Sequence, residues 1–283
     1  MPAVTIGVPV YNGDALLDEC LQCLAAQTFR DFEVLVYDNA STDRTASIAQ
    51  SWAARDARFR YYRQSENRGV TQNFTDVLDA ATAGHFMWRA HDDVSASNFV
   101  EVTHRLLASH DRAKLAVGAV RKFAEDGSPK GESRVPNLQA GPRLLRILRG
   151  LRGYHPSWFY GLWKREAALE AFNAVWRGNT DPWPWGVDHM ALIPLAASDA
   201  LVGSNETYFV QRKRKANAPP PDMSEDQLRA HFTAKCETLL KRQPMNAAER
   251  AIVRAMIAVE IRRLFKPRKF KPWMTPKAVN VER

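Results

Sequence analysis

Apolar positions in the first hundred residues recur in two alternating rhythms. Val4 to Val10 is a nearly unbroken apolar run closed by Tyr11-Asn12-Gly13, the pattern of a buried strand. From Asp14 to Ala26 the spacing becomes helical, with Leu16, Leu17, Cys20, Leu21 and Leu24 on one face. The same alternation predicts a strand over Phe32 to Tyr37 ending at Asp38, then a helix capped by Thr42 or Asp43 and running to about Ala54. A strand over Phe59 to Arg63, a helix over Gly69 to Ala81 and a strand over His85 to Ala90 follow. Strands separated by helices need crossover connections, so the chain is read as α/β, with a mostly parallel central sheet flanked by helices. Ligands gather beyond the carboxyl ends of the strands in such sheets. Tyr11, Asp38 and the triplet His91-Asp92-Asp93 all fall there. Adjacent carboxylates at the mouth of a buried strand repel each other and resist desolvation, so they call for a cation or a donor-rich ligand, unless the triplet is an exposed turn or a helix cap.

Composition changes this picture in three places. The chain has 283 residues, 45% of them hydrophobic, enough for one large α/β domain with an appended segment. No apolar run approaches the roughly 20 residues of a membrane span, and the N-terminus does not read as a signal peptide, so a cytoplasmic or peripheral protein is expected. The three cysteines, with Cys20 and Cys23 inside the first helix and Cys236 far away, fit core packing in a reducing compartment better than a disulfide framework or a metal site. The formal charge of +9 is local: residues 241–283 carry twelve Lys or Arg against three Asp or Glu, and the remainder is balanced. The high isoelectric point therefore belongs to a basic appendage and not to the acidic loop.

Read together, five motifs resemble the ordered series of family 2 glycosyltransferases. They are Pro9-Val10-Tyr11-Asn12-Gly13, Gln27-Thr28-Phe29, the stretch from Phe32 through Asp38-Asn39-Ala40-Ser41-Thr42-Asp43, Asn67-Arg68-Gly69 with Asn73, and Asp92-Asp93. The resemblance is close over roughly the first 120 residues and looser to about residue 213. It implies a GT-A (Rossmann-like) fold, a nucleotide-sugar donor, a divalent metal (Mn²⁺ or Mg²⁺) and inversion at the anomeric carbon. It also implies an organisation, with residues 1–218 as the transferase domain, 1–120 holding the nucleotide sugar and 121–218 the acceptor; residues 219–283 are read separately, from periodicity and charge, as a helical extension with a basic arm.

Roles follow position by position. A nucleotide base needs a flat apolar contact and an acceptor for its imide N–H, which Tyr11 and Asp38 can supply from adjacent strand ends. Pro9, Asn12, Asn67, Arg68, Gly69, Asn73 and Asp92 complete the nucleotide-sugar set that the resemblance implies, with Arg68 offering charge-assisted bonds to phosphate. Asp93 is the first-choice metal ligand, because a carboxylate on a hard cation stabilises a departing diphosphate. His91 stands where the family often has a third acidic residue, and it is either a further ligand or a residue behind the ligands. An inverting displacement needs a general base beside the acceptor hydroxyl, and Asp188 in Trp185-Gly186-Val187-Asp188-His189 matches the family's acidic pair with one member replaced. His189 either orients Asp188 or binds the metal, and Asp181 is a reserve base. Trp158, Trp183 and Trp185, within a run that also holds Trp163 and Trp176, are read as an acceptor groove, because sugar C–H faces stack on indoles; core packing is the other reading.

Beyond the Pro219-Pro220-Pro221 linker, Ser224 to Phe265 has helical periodicity, and Lys266 to Trp273 mixes bases, aromatics and prolines. Such an arm can rest on an anionic membrane surface, which suits a lipid-linked acceptor at its inner face. The leading expectation is a metal-dependent inverting glycosyltransferase using a UDP- or dTDP-sugar, acting on a saccharide or lipid-linked acceptor in cell-surface polysaccharide or glycolipid assembly. A catalytically silent nucleotide-sugar binding protein is the alternative. A nucleotidyltransferase lacks its Gly-rich phosphate loop here, and no nucleic-acid motif accompanies the basic tail.

Overall fold

A computed structural model of the chain describes residues 1–124, 127–175, 186–212 and 224–265. The parallel half of the sheet is built from β1 (Val4–Val10), β2 (Phe32–Asp38), β3 (Phe59–Arg63) and β4 (His85–Trp88), connected through helices α1 (Leu17–Ala25), α2 (Thr45–Arg55) and α3 (Val70–Ala80). These strands lie in the order β3-β2-β1-β4, every pair parallel. β1 is buried at all seven positions, as a strand covered on both faces must be.

The second half is mixed. A short strand β5 (Val94–Ser95), α4 (Phe99–Ala108), β6 (Leu115–Phe123), β7 (Pro129–Ser133) and α5 (Arg143–Gly153) come next. A 3₁₀ turn over Pro156–Tyr160, β8 (Leu162–Lys164), α6 (Arg165–Val175), α7 (Val187–Ala197) and β9 (Leu201–Arg212) complete it. β8 inserts antiparallel between β4 and β6, while β9 runs parallel to β6, so the full order is β3-β2-β1-β4-β8-β6-β9-β5 with β7 on β6. β5 pairs antiparallel with β9 through Val94–Val210 and Ser95–Phe209, which fastens the chain after the acidic triplet to the end of β9.

The predicted elements recur with shifts at their ends. α1 begins at Leu17 instead of Asp14, and α2 at Thr45. Asp43 does not cap the helix from the expected position; its Oδ1 accepts the Thr45 N–H and its Oδ2 the Asp14 N–H, tying two loops together. β4 stops at Trp88, although the Arg89 N–H still donates to Gly7 O at 2.8 Å. The predicted helical tail divides into α8 (Glu225–Lys241) and α9 (Ala247–Leu264), each opened by a capping box, Ser224 with Gln227 and Asn246 with Glu249. Their buried Leu228, Phe232, Cys236, Val253 and Ile257 join the same apolar cluster as the strands. No helix among the described residues is long and apolar enough to cross a membrane.

The second half packs around aromatic rings. Trp88 stacks on Phe159 with centroids 4.7 Å apart and on Phe172 at 4.9 Å, with Trp163 edge-on at 6.1 Å. Gly161, which joins the 3₁₀ turn to β8, is fitted tightly here: a Cβ would lie 2.5 Å from Ala116 O and 3.0 Å from Trp158 O. Both neighbours are backbone and cannot yield without moving β6 or the turn. Gly161→Ala is expected to lower stability by roughly 1–3 kcal/mol, read as a lower urea midpoint with an unchanged slope.

Candidate functional site

The carboxyl edge of the parallel strands carries the first cluster. Pro9 is buried within β1, opposite Tyr37 of β2. Tyr11 stands just past β1 and keeps 45% of its surface exposed. Asn12 has a left-handed φ of 48°, tolerated because a short amide bonds locally: its Oδ1 accepts the Thr42 N–H at 2.8 Å, and its own N–H donates to Ser41 Oγ at 2.9 Å. Beneath this loop Asp38 is wholly buried. Its Oδ1 accepts the Ser41 N–H at 2.8 Å, and its Oδ2 accepts from Tyr61 Oη at 2.7 Å and Arg63 Nη1 at 3.2 Å. A carboxylate offers about four lone-pair sites, so three donors leave one acceptor direction.

Asn67, Arg68 and Gly69 form one loop, organised by Asn39, which sequence reasoning passed over. Asn39 Nδ2 donates to Asn67 Oδ1 at 2.8 Å and to Gly69 O at 3.2 Å, and its Oδ1 accepts the Arg68 N–H at 2.9 Å. Gly69 has φ 83°, a conformation that favours glycine, at the start of α3. Asn73 is buried and ties α3 to β2 through Tyr37 O at 2.9 Å, while its Oδ1 has no partner among the described residues. The Arg68 guanidinium, expected to meet phosphate, is instead paired with Asp76 at 2.7 Å, and Gln64 and Gln72 donate to the same carboxylate. A phosphate contact from Arg68 requires that pair to open.

The acidic triplet follows β4. His91 packs against Gly13, where a Cβ would come within 2.6 Å of the imidazole, so the glycine makes room for the ring. Asp92 and Asp93 are buried, 9% and 6% exposed. Burial and the adjacent Asp92 raise the Asp93 carboxyl to about 7, against the opposing pull of Arg89 and of the Arg212 backbone N–H and guanidinium. Arg89 is itself fully buried, donating to Ser95 Oγ at 3.1 Å and lying over the rings of Phe99 and Phe209. Adjacent buried carboxylates suit a hard divalent cation that takes one or two protein carboxylates and draws its other ligands from phosphate and water. Among the described residues no three His, Cys, Asp or Glu side chains gather into a metal cluster.

Asp188 occupies the first turn of α7, behind Gly186 in the left-handed region at φ 71°. Its Oδ1 accepts the His189 N–H at 2.9 Å. Tyr160, at the end of the 3₁₀ turn, is within electrostatic reach of Asp188 and of the acidic pair. Burial, then the charges of Asp93, Asp188 and Asp92, push its phenol up, so one hydroxyl senses both halves of the site. Tyr160 lies flat on Phe209, with centroids 5.4 Å apart and planes 2° apart. Beside it, His155 is lowered to about 4 by burial and by Lys122 and His189, and its Nδ1 accepts the Ser157 N–H at 3.2 Å.

The predicted tryptophan groove fares differently. Trp158 is 2% exposed, in the core, so no indole face is open to a sugar; it is withdrawn as an acceptor residue. Trp163 is also buried, its Nε1 bonded to Phe159 O at 2.8 Å. Trp176, Asp181, Trp183 and Trp185 lie outside the described residues, as does the basic arm from Lys266. Tyr160, two residues from Trp158, is the aromatic that the 3₁₀ turn delivers to the site, and its signal in the sequence was only its place in Trp-Phe-Tyr-Gly.

Comparison with known proteins bears on this edge. Residues 5–168 match the family model described as Glycosyl transferase family 2. The uncharacterized glycosyltransferase EpsJ of Bacillus subtilis is 34% identical over 104 residues, covering 36% of this chain and 30% of that protein. The glycosyltransferase GlyA of Streptococcus pneumoniae is 29% identical over 122 residues, covering 43% of this chain and 17% of that protein. The chain thus spans about a third or less of the length of these two relatives. Among solved structures, residues 1–349 of TarS from S. aureus, in complex with UDP-GlcNAc, superpose with a TM-score of 0.71 at 14% identity, covering 96% of this chain and 76% of that one. The mannosyltransferase PcManGT from Pyrobaculum calidifontis, in complex with GDP-Man and Mn²⁺, gives 0.58 at 16% identity, covering 91% and 69%. These likenesses identify the α/β architecture as GT-A.

Proposed function

Because the chain belongs to glycosyl transferase family 2, we propose that it moves a sugar, with inversion, from a nucleoside diphosphate donor to an acceptor hydroxyl. The observation that supports this reading is the edge of the parallel strands, where Tyr11 and Asp38 follow or end the paired strands β1 and β2 and Asp92-Asp93 follow β4, with Tyr160 sensing the charges of Asp93, Asp188 and Asp92. Tyr11 offers its exposed face to the base. The last acceptor direction of Asp38 is offered to the imide N–H, held in place by Tyr61 and Arg63. Asp93, with Asp92 beside it, would hold a divalent cation, whose contribution when bound is to offset the charge of the departing diphosphate. Asp188 accepts the proton of the acceptor hydroxyl as its oxygen bonds to the anomeric carbon and the bond from that carbon to the diphosphate oxygen breaks. The nucleoside diphosphate leaves with the electron pair of that bond.

Support for the donor class comes from the neighbours, one bound to UDP-GlcNAc and one to GDP-Man with Mn²⁺. The basic excess of residues 241–283 supports a saccharide or lipid-linked acceptor presented at an anionic membrane surface in cell-surface polysaccharide or glycolipid assembly, the enzyme itself being cytoplasmic. The test is a panel of UDP-, dTDP- and GDP-sugars with Mn²⁺, reading release of nucleoside diphosphate and the melting temperature with each free nucleoside diphosphate. One nucleotide is expected to raise the melting temperature in a Mn²⁺-dependent way and its sugar conjugate to be turned over, slowly to water without an acceptor. A thermal shift with no release from any donor would favour the silent binding protein; neither signal would reject both readings.

A further inference from the structure

The turn that carries Asp188 is held from behind by side chains to which the reaction above gives no part. Gly186 abuts α8: a Cβ there would lie 3.0 Å from the Phe232 ring. The same ring meets His189 edge-on, with centroids 6.2 Å apart. His189 is fixed from a second side by Tyr154, which follows α5. Its Nδ1 lies 2.9 Å from the Tyr154 hydroxyl, and the two rings are perpendicular, with centroids 5.5 Å apart.

Proton positions follow from the surroundings. Burial, then the charges of Glu260 and Asp188, push the Tyr154 phenol up, so it keeps its proton at working pH. Among the described residues the hydroxyl has no acceptor other than His189 Nδ1, and a buried O–H left without one is costly. Tyr154 therefore donates to Nδ1, an arrangement that places the imidazole proton on Nε2. The ring is clamped between a hydrogen bond and Phe232, and the backbone N–H of the same residue holds Oδ1 of Asp188.

We propose that Tyr154 and His189 are positioning residues for Asp188: the Tyr154 hydroxyl locks the His189 imidazole, and the His189 backbone N–H aims the carboxylate. On this view α8, through Phe232, is part of the acceptor site and not a detachable appendage. The inference rests on Asp188 as the base, and the test separates the two. In the full chain, Tyr154→Phe keeps the ring and removes only the hydroxyl. With the donor that the panel identifies, its kcat is expected to fall roughly ten- to hundredfold, with donor KM and the Mn²⁺ dependence unchanged. His189→Ala is expected to do the same. Placed on Asp188→Asn, Tyr154→Phe is expected to have no further effect, because it acts only through that carboxylate. An unchanged kcat in Tyr154→Phe, an equal loss on the Asp188→Asn background, or a shifted Mn²⁺ dependence would overturn the proposal. Full turnover by Asp188→Asn alone would instead remove the base assignment. Imidazole ¹⁵N spectra of the labelled protein give a readout independent of turnover: His189 is expected as the Nε2–H tautomer, mixed in Tyr154→Phe, and an Nδ1–H tautomer in the parent protein would overturn the proposal even if no donor were consumed.

Discussion

Asp188→Asn is expected to reduce turnover roughly 10²–10⁴-fold, the span assigned to a positioned general base, while the nucleotide-dependent thermal shift stays as in the parent protein. Asn keeps the size of Asp, and its amide oxygen can still accept the His189 N–H that Oδ1 accepts at 2.9 Å, so the first turn of α7 retains its geometry. What is lost is a group that can take a proton from an acceptor hydroxyl. The proposed nucleotide side of the site, Tyr11 and Asp38 at the ends of β1 and β2 and the loop organised by Asn39, is built on other elements. Steady-state kcat with the identified donor, beside melting curves with free nucleoside diphosphate and Mn²⁺, separates the outcomes. Equal loss of binding and turnover would make Asp188 a structural residue, and undiminished turnover would place the base elsewhere.

The contrast between the strand-end residues and Trp158 shows which parts of the molecule the chain discloses. A strand covered on both faces is predominantly apolar, so Val4–Val10 and Phe32–Asp38 identify themselves, and parallel crossovers then bring Tyr11, Asp38 and Asp92-Asp93 to one edge by topology alone. From β5 onward the sheet is mixed, and strands of two or three residues, Val94–Ser95 and Leu162–Lys164, are too short to carry a period. Their places depend on tertiary pairing with β9, β4 and β6. In that half an indole reads alike whether it faces a sugar or the core. Only the folded chain shows that Trp158 and Trp163 lie inside while Tyr160 falls within electrostatic reach of the carboxylates. Asn39 was hidden for a different reason: its bonds to Asn67, Arg68 and Gly69 join residues some thirty positions apart, and local spacing holds no trace of them.

In the presence of chelator, Asp93→Asn is expected to melt several degrees above the parent protein at pH 8 and to converge with it near pH 4. Desolvation and the neighbouring Asp92 raise the Asp93 carboxyl from 3.8 to about 7 in the folded chain. Below the unfolded value both states hold the proton and the group costs nothing. Between about 4 and 7 the unfolded chain releases it while the folded chain does not, so the stability associated with this group falls as pH rises and is lost once pH passes the folded value. A shift of that size corresponds to an upper bound of roughly 4 kcal/mol, and chains near this size gain roughly 2–4 °C per kcal/mol. Asn carries no charge at any pH, so the penalty disappears. The same substitution removes the proposed cation ligand, and the ordering must therefore reverse with Mn²⁺ and the nucleoside diphosphate that the panel identifies: the parent protein gains stability and the variant does not. Melting curves at pH 4, 6 and 8, with chelator or with Mn²⁺ and nucleotide, read both effects. A variant less stable than its parent in chelator at pH 8 would mean that the pair is neutralised within the protein, and a retained Mn²⁺-dependent shift would move the cation away from Asp93. The expected crossing places the acidic pair among sites whose stability cost in the empty protein is what favours the cation when it arrives.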